Sequence, residues 1–170
     1  MIVYHGSTDC ISWINRNYKK SGCSTFQKVF GFWDGFYITT FENQAKKWAV
    51  RKGMRQEKTA IVNVYELSEE WEDFKVLSFE KENEKWLDFV CECRKGQPLN
   101  KKYDLVIGNV ADDDVFKTVD MYFRGLWDKE KVLSELRYYK MNNQICIVNQ
   151  ETLNRLVAFK TAYEVENNVR

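Results

Sequence analysis

The order in which hydrophobic periods follow one another is what most restricts this chain's fold. Alternation with period two marks strands, and recurrence every three to four residues marks helices. Ile2–His5 reads as a short strand running into a Gly-Ser-Thr turn, after which Asp9 caps a helix carrying Ile11, Ile14 and Tyr18. Residues 21–34 form a glycine- and aromatic-rich loop. Gly35–Thr40 is a strand, and Thr40 opens a helix with Ala45, Trp48 and Ala49. Two strands follow, Thr59–Leu67 and Phe74–Phe79, then a helix over Glu82–Arg94 that turns Trp86, Phe89, Val90 and Cys93 inward. Tyr103–Gly108 is a buried strand, with helices near 112–123 and 128–139. Asn143–Asn149 is a strand, Glu151–Ala158 a helix and Phe159–Glu166 a last strand. Because strands and helices mix without strict βαβ alternation, the pattern predicts an α+β fold rather than a doubly wound sheet. No G-x-G-x-x-G follows the first strand, so a dinucleotide is not held in the Rossmann manner.

With one proline, Pro98, and no repeat, linker or low-complexity run, residues 1–170 read as a single domain. Apolar residues make up 44% of the chain, enough for a packed core. The 26 basic and 25 acidic residues are interspersed. Such a distribution lacks the one-signed face of a dedicated nucleic-acid or membrane-surface binder, though a nucleic acid remains open as a substrate. Neither a signal-peptide pattern nor a bilayer-length apolar run is present, which predicts a cytoplasmic protein. Cys91 and Cys93 form a lone C-x-C, and His5 is the one histidine, so reduced thiols and no metal site are expected.

Three segments carry residues suited to chemistry. In Val3–Thr8, a histidine is followed at once by Gly6 and Ser7, which sets a polar ring beside a backbone that a ligand can approach closely. In Gly35–Ala49, Tyr37 faces opposite to Phe36 and Ile38, while Gln44 and Trp48 share a helix face at i, i+4. Tyr37 and Trp48 are placed to wall a slot for a planar ring, and would equally serve as core aromatics. The third segment, Met141–Val148, brings the amides of Asn142, Asn143 and Gln144 to the mouth of an apolar strand.

Taken together, these segments resemble the His–Tyr–Glu branch of the ADP-ribosyltransferase superfamily, which includes the poly(ADP-ribose) polymerases and diphtheria toxin. His5-Gly6-Ser7 matches the His-Gly-Ser that ends a strand in that branch, and Gly35-Phe36-Tyr37 matches its Gly-x-Tyr. Trp48 stands at the aromatic position eleven residues after the tyrosine, and Asn143-Gln144-Ile145 replaces the branch's Asn-Glu-aromatic. The chain also looks like a small uncharacterised bacterial family grouped with that superfamily. The resemblance implies a split β-sheet core with flanking helices and NAD as substrate, without metal. It assigns His5 a hydrogen bond donated to the adenosine ribose and the Gly6 backbone, with Ser7 nearby, the nicotinamide carboxamide. Tyr37 and Trp48 sandwich the ring, which is worth about 0.5–1.5 kcal/mol beyond area, and Gln144 bonds the nicotinamide-ribose hydroxyls. The implied function is a mono-ADP-ribosyltransferase of toxin or effector type, with a protein or nucleic-acid acceptor and a neutralising antitoxin as a partner.

The departure is Gln144. A neutral amide keeps a hydrogen bond but loses the charge that stabilises an oxocarbenium-like transition state, and it cannot act as a general base. Chain elongation is therefore the least expected outcome, and single transfer to a good nucleophile the most. The alternative is a catalytically silent NAD- or ADP-ribose-binding module; an RNA 2′-phosphotransferase and a pure interaction domain stand further off. Asp112-Asp113-Asp114 reads as a helix N-terminus using acids to meet free N–H groups. Glu164-x-Glu166 resembles the Glu-x-Glu of the arginine-specific branch but is expected on the outward face of the last strand, and Cys146 is expected to share a face with Gln144.

Overall fold

The computed structural model describes residues 1–12, 35–94, 102–109, 113–136 and 143–166. The elements run β1 (Ile2–Ser7), β2 (Phe36–Ile38), α1 (Glu42–Gln56), β3 (Ala60–Leu67), β4 (Val76–Ser78), α2 (Glu84–Arg94), β5 (Leu105–Gly108), α3 (Asp113–Phe123), α4 (Lys129–Leu136), β6 (Gln144–Ile147), α5 (Gln150–Leu156) and β7 (Val157–Val165). They form an α+β domain with two sheets. One has three strands in the order β1-β3-β7 and the other four in the order β2-β6-β5-β4. All pairings are antiparallel except β4 with β5, which α2 connects as a crossover.

Two differences from the sequence expectation bear on the site. β1 does not turn at Gly6. It runs on through Ser7, with Gly6 opposite Val62 and Ser7 opposite Ile61 of β3. No helix begins at Asp9 within the described residues, and the expected face with Ile14 and Tyr18 lies outside them. The chain at Ile11 is instead tied to β3: its N–H donates to Asn63 Oδ1 at 2.7 Å, and its carbonyl accepts from the Tyr65 hydroxyl at 2.9 Å.

A core of Val3, Tyr65 and Leu67 from one sheet and Phe36, Ile38, Leu105, Ile145 and Ile147 from the other joins their inner faces, with Leu153 and Leu156 of α5. The outer face of the three-stranded sheet is covered by α1 through Ala45 and Ala49 against Ala60 and Val62. The outer face of the four-stranded sheet carries Val106, Cys146 and Val148 under Phe89 and Cys93 of α2. Trp86, Leu87 and Val90 on α2 then pack against α3 and α4. Among the described residues no helix is long and apolar enough to cross a membrane.

Candidate functional site

Among the described residues, the backbones of the two sheets meet at one isolated bridge. Tyr4 N–H donates to Thr39 O at 2.8 Å, and Thr39 N–H donates to Tyr4 O at 3.0 Å. Backbone polar groups in a strand alternate between its two edges. Gly6 therefore presents its N–H and C=O on the same edge as Tyr4, away from β3 and toward β2. Continuing the antiparallel register sets Gly6 across from Tyr37, yet among the described residues no ladder bond extends past the bridge. Gly6 is buried, and among the described residues its N–H and C=O on this edge have no backbone partner.

Why a glycine stands at this point is steric. A Cβ on Gly6 would come within 2.2 Å of Ala45 O, 2.7 Å of Ala49 N and 3.0 Å of Trp48 Cβ. The first turns of α1 are thus pressed directly against the β1 backbone. The Gly6–Trp48 face continues across the Tyr4–Thr39 bridge into Tyr37 of β2 and Gln144 and Cys146 of β6. Tyr37 is directly paired with Cys146 and packs with it and Val148. Gln144 lies across from Gly108 and borders a small crevice with Phe79, Val106, Gly108, Asn109 and Cys146. At about 10 Å³ that crevice has room for about one water.

His5 lies on the other side of the seam. Its ring stacks on Phe36, with centroids 4.9 Å apart, and its Nδ1 is 2.7 Å from Tyr37 O. A carbonyl can only accept, so Nδ1 carries the hydrogen and a neutral ring presents a bare lone pair at Nε2. Burial pushes the imidazole pKa down to about 4; the nearby Lys52 ammonium lowers it further, and the bond to Tyr37 opposes both. His5 is 8% exposed, and its Nε2 is buried with no hydrogen-bond partner. Such an orphaned group costs about 1–3 kcal/mol. With the hydrogen at Nδ1, Nε2 is the acceptor end of the ring.

Ser7 is fully buried but turned elsewhere. Its Oγ accepts from Asp9 N–H at 3.3 Å and from Lys52 Nζ at 3.5 Å. The structure thus brings Gly6, Trp48, Tyr37 and Gln144 to one face of the seam, sets the His5 imidazole on the other side against Phe36 and the Tyr37 carbonyl, and engages the Ser7 hydroxyl with the next loop. Cys146 shares the Gln144 face as expected. Glu164 and Glu166 are exposed at the end of β7 and just beyond it, away from the seam, and Asp113 opens α3, while Asp112 lies outside the described residues.

Sequence reasoning missed what holds Gln144 in place. Asn143 Oδ1 accepts from Thr39 Oγ1 at 2.8 Å and Thr40 N–H at 3.0 Å, and its Nδ2 donates to Thr40 Oγ1 at 2.7 Å. Gln44 closes the clamp, donating Nε2 to Asn143 O at 2.7 Å and accepting from Asn143 N–H at 3.3 Å. These bonds pin the start of β6 to the junction of β2 and α1. The available signal was two hydroxyl residues ahead of a helix, a habit of chain segments that bond their own neighbours. Also missed was Glu82, whose Oε1 accepts from Asn109 Nδ2 at 2.7 Å on the rim of the Gln144 crevice.

Fold and site together define a two-sheet α+β domain whose sheets part at a strand end bearing a histidine and a glycine. The model of the family described as protein of unknown function DUF3990 matches residues 1–158, and the chain belongs to that family. No curated protein and no solved structure matches it.

Proposed function

We propose that this protein is an NAD-dependent mono-ADP-ribosyltransferase with the split-sheet core of that superfamily, acting in the cytoplasm as a toxin or effector on a protein or nucleic-acid acceptor. The observation that carries the reading is the Gly6 backbone edge toward β2, which has no ladder partner among the described residues, together with the buried, unpaired Nε2 of the neighbouring His5. A carboxamide needs one donor and one acceptor side by side, which the Gly6 N–H and C=O offer. A ribose hydroxyl meets the lone pair of His5 Nε2. Tyr37 and Trp48 flank the nicotinamide position, and Gln144, fixed by the Asn143 clamp, faces the nicotinamide ribose.

Catalysis in this site is positioning and electrostatics. The glycosidic bond breaks with its electron pair going to the nicotinamide nitrogen, while positive charge develops on the ribose and Gln144 supplies a hydrogen bond without a charge. Calorimetric titration with NAD and an assay of nicotinamide release test the reading on the wild type, His5→Ala and Tyr37→Ala. Micromolar-to-millimolar binding with slow release, lost in both variants at unchanged far-UV circular dichroism, is expected. A wild type indifferent to NAD sinks it. The neutral Gln144 also favours a second reading, a silent NAD- or ADP-ribose-binding module, which predicts binding without release over long incubation. A neutralising partner fits a cytoplasmic toxin and follows from the same reading.

A further inference from the structure

Gln144 lacks the charge to remove a proton from an acceptor, so a base must come from elsewhere if the acceptor is a hydroxyl or water. The described carboxylates with defined partners are mostly committed elsewhere. Glu42 is bound to Lys46 and Tyr163, Glu66 to Lys160, and Glu84 and Asp88 to Lys129. Asp104 accepts from Lys75 N–H and Asn149 at the opposite end of β5 from Gly108. Glu82 differs. It is half-buried, Asn109 holds only its Oε1, and Asn109 borders the crevice that Gln144 and Gly108 share. Among the described residues Glu82 Oε2 has no hydrogen-bond or ion-pair partner.

The location also suits the chemistry. The Tyr37 wall lies on the β2 side of Gln144, and Asn109 and Glu82 lie beyond it on the β5 side. A nucleophile displacing nicotinamide attacks the ribose carbon from the side away from the leaving group, so its base belongs on the far side of Gln144 from the nicotinamide slot.

We propose that Glu82, oriented by Asn109, is the general base that deprotonates a hydroxyl or water acceptor at the Gln144 crevice. The inference rests on the transferase reading above. In the step, an acceptor oxygen lone pair forms the new bond to the ribose carbon as the glycosidic pair departs with nicotinamide. The acceptor proton passes to the Glu82 carboxylate and then to solvent.

Water is an acceptor that needs no identification, so NAD hydrolysis provides the test. Glu82→Gln is expected to lower kcat for nicotinamide release about 10²-fold or more, with the Kd for NAD within about twofold and Tm unchanged. Glu82→Asp is expected to retain an intermediate rate, and formate is expected to restore part of the rate to Glu82→Ala, which a merely structural role would not allow. Wild-type turnover in Glu82→Gln overturns the assignment while leaving the transferase reading intact. So does a loss that formate cannot rescue. NAD binding without any release in the wild type also overturns it and leaves the silent module. Absence of NAD binding in the wild type removes both readings together.

Discussion

The Nδ1 of His5 on β1 lies 2.7 Å from the carbonyl oxygen of Tyr37 on β2. That one bond fixes the tautomer of the imidazole. With hydrogen held at Nδ1, Nε2 stays an acceptor at neutral pH. Because His5 is the one histidine in the chain, its ring nitrogens give a single pair of ¹⁵N signals. We expect the Nδ1–H tautomer at pH 7, and a change in the Nε2 shift on adding NAD while Nδ1 barely moves. An Nε2–H tautomer would contradict the assigned bond.

His5 also makes stability depend on pH. Its folded pKa is about 4 against 6.5 for an unperturbed histidine, chiefly because the ring is buried. Between those values the unfolded chain binds a proton that the folded chain does not, so stability falls as pH drops through that window and is fully present above it. At 1.36 kcal/mol per pH unit this amounts to about 3 kcal/mol. Urea titrations at pH 7 and pH 4.5 on the wild type and His5→Asn should show the wild type losing more stability on acidification. Equal losses would mean that His5 is protonated in the fold or exposed.

Two glycines on the same face should respond oppositely to alanine. At Gly6 the new methyl would sit 2.2 Å from a backbone oxygen of α1, so the helix must shift. Overpacking of this kind costs about 1–3 kcal/mol, or about 3–10 °C in Tm for a domain of this size. At Gly108 the methyl meets Phe79 at 3.4 Å and Trp86 at 3.7 Å, which is ordinary contact. Gly108→Ala should therefore hold its Tm within about 2 °C while narrowing the crevice beside Gln144 and slowing nicotinamide release. Scanning calorimetry paired with the release assay separates the two, and an unstable Gly108→Ala would show the crevice to be tighter than drawn.

The contrast between those glycines shows where the sequence was legible. Elements with a strong period, such as α2 with Trp86, Phe89, Val90 and Cys93 inward, appear within two residues of their expected bounds. Gly-Ser-Thr is ordinary turn chemistry, so the sequence predicts that β1 ends at His5. Pairing with β3 overrides that local preference and carries the strand through Ser7. Gly6, Tyr37 and Gln144 were found by their order along the chain, but their common face depends on a register that only the Tyr4–Thr39 bridge fixes. The Asn143 clamp and the Glu82–Asn109 bond span 99–104 and 27 residues respectively. Polar pairs that distant carry no periodic signature; the two hydroxyl residues ahead of α1 hint at one side of the clamp but not at its partner.

Gln144→Glu tests the electrostatic argument at the centre of the site. The position is half-buried and fixed by the Asn143 clamp, so the substitution keeps length and shape and adds a charge. A carboxylate about 4 Å from a developing positive charge is worth on the order of 4 kcal/mol at an effective dielectric near 20, roughly a thousandfold in rate. Solvent reaching a half-buried group weakens that interaction, so a rise of about 10- to 1,000-fold in nicotinamide release is expected. The Kd for NAD should change much less than the rate, because the gain acts on the transition state. An unchanged rate at unchanged affinity would place residue 144 away from the ribose carbon.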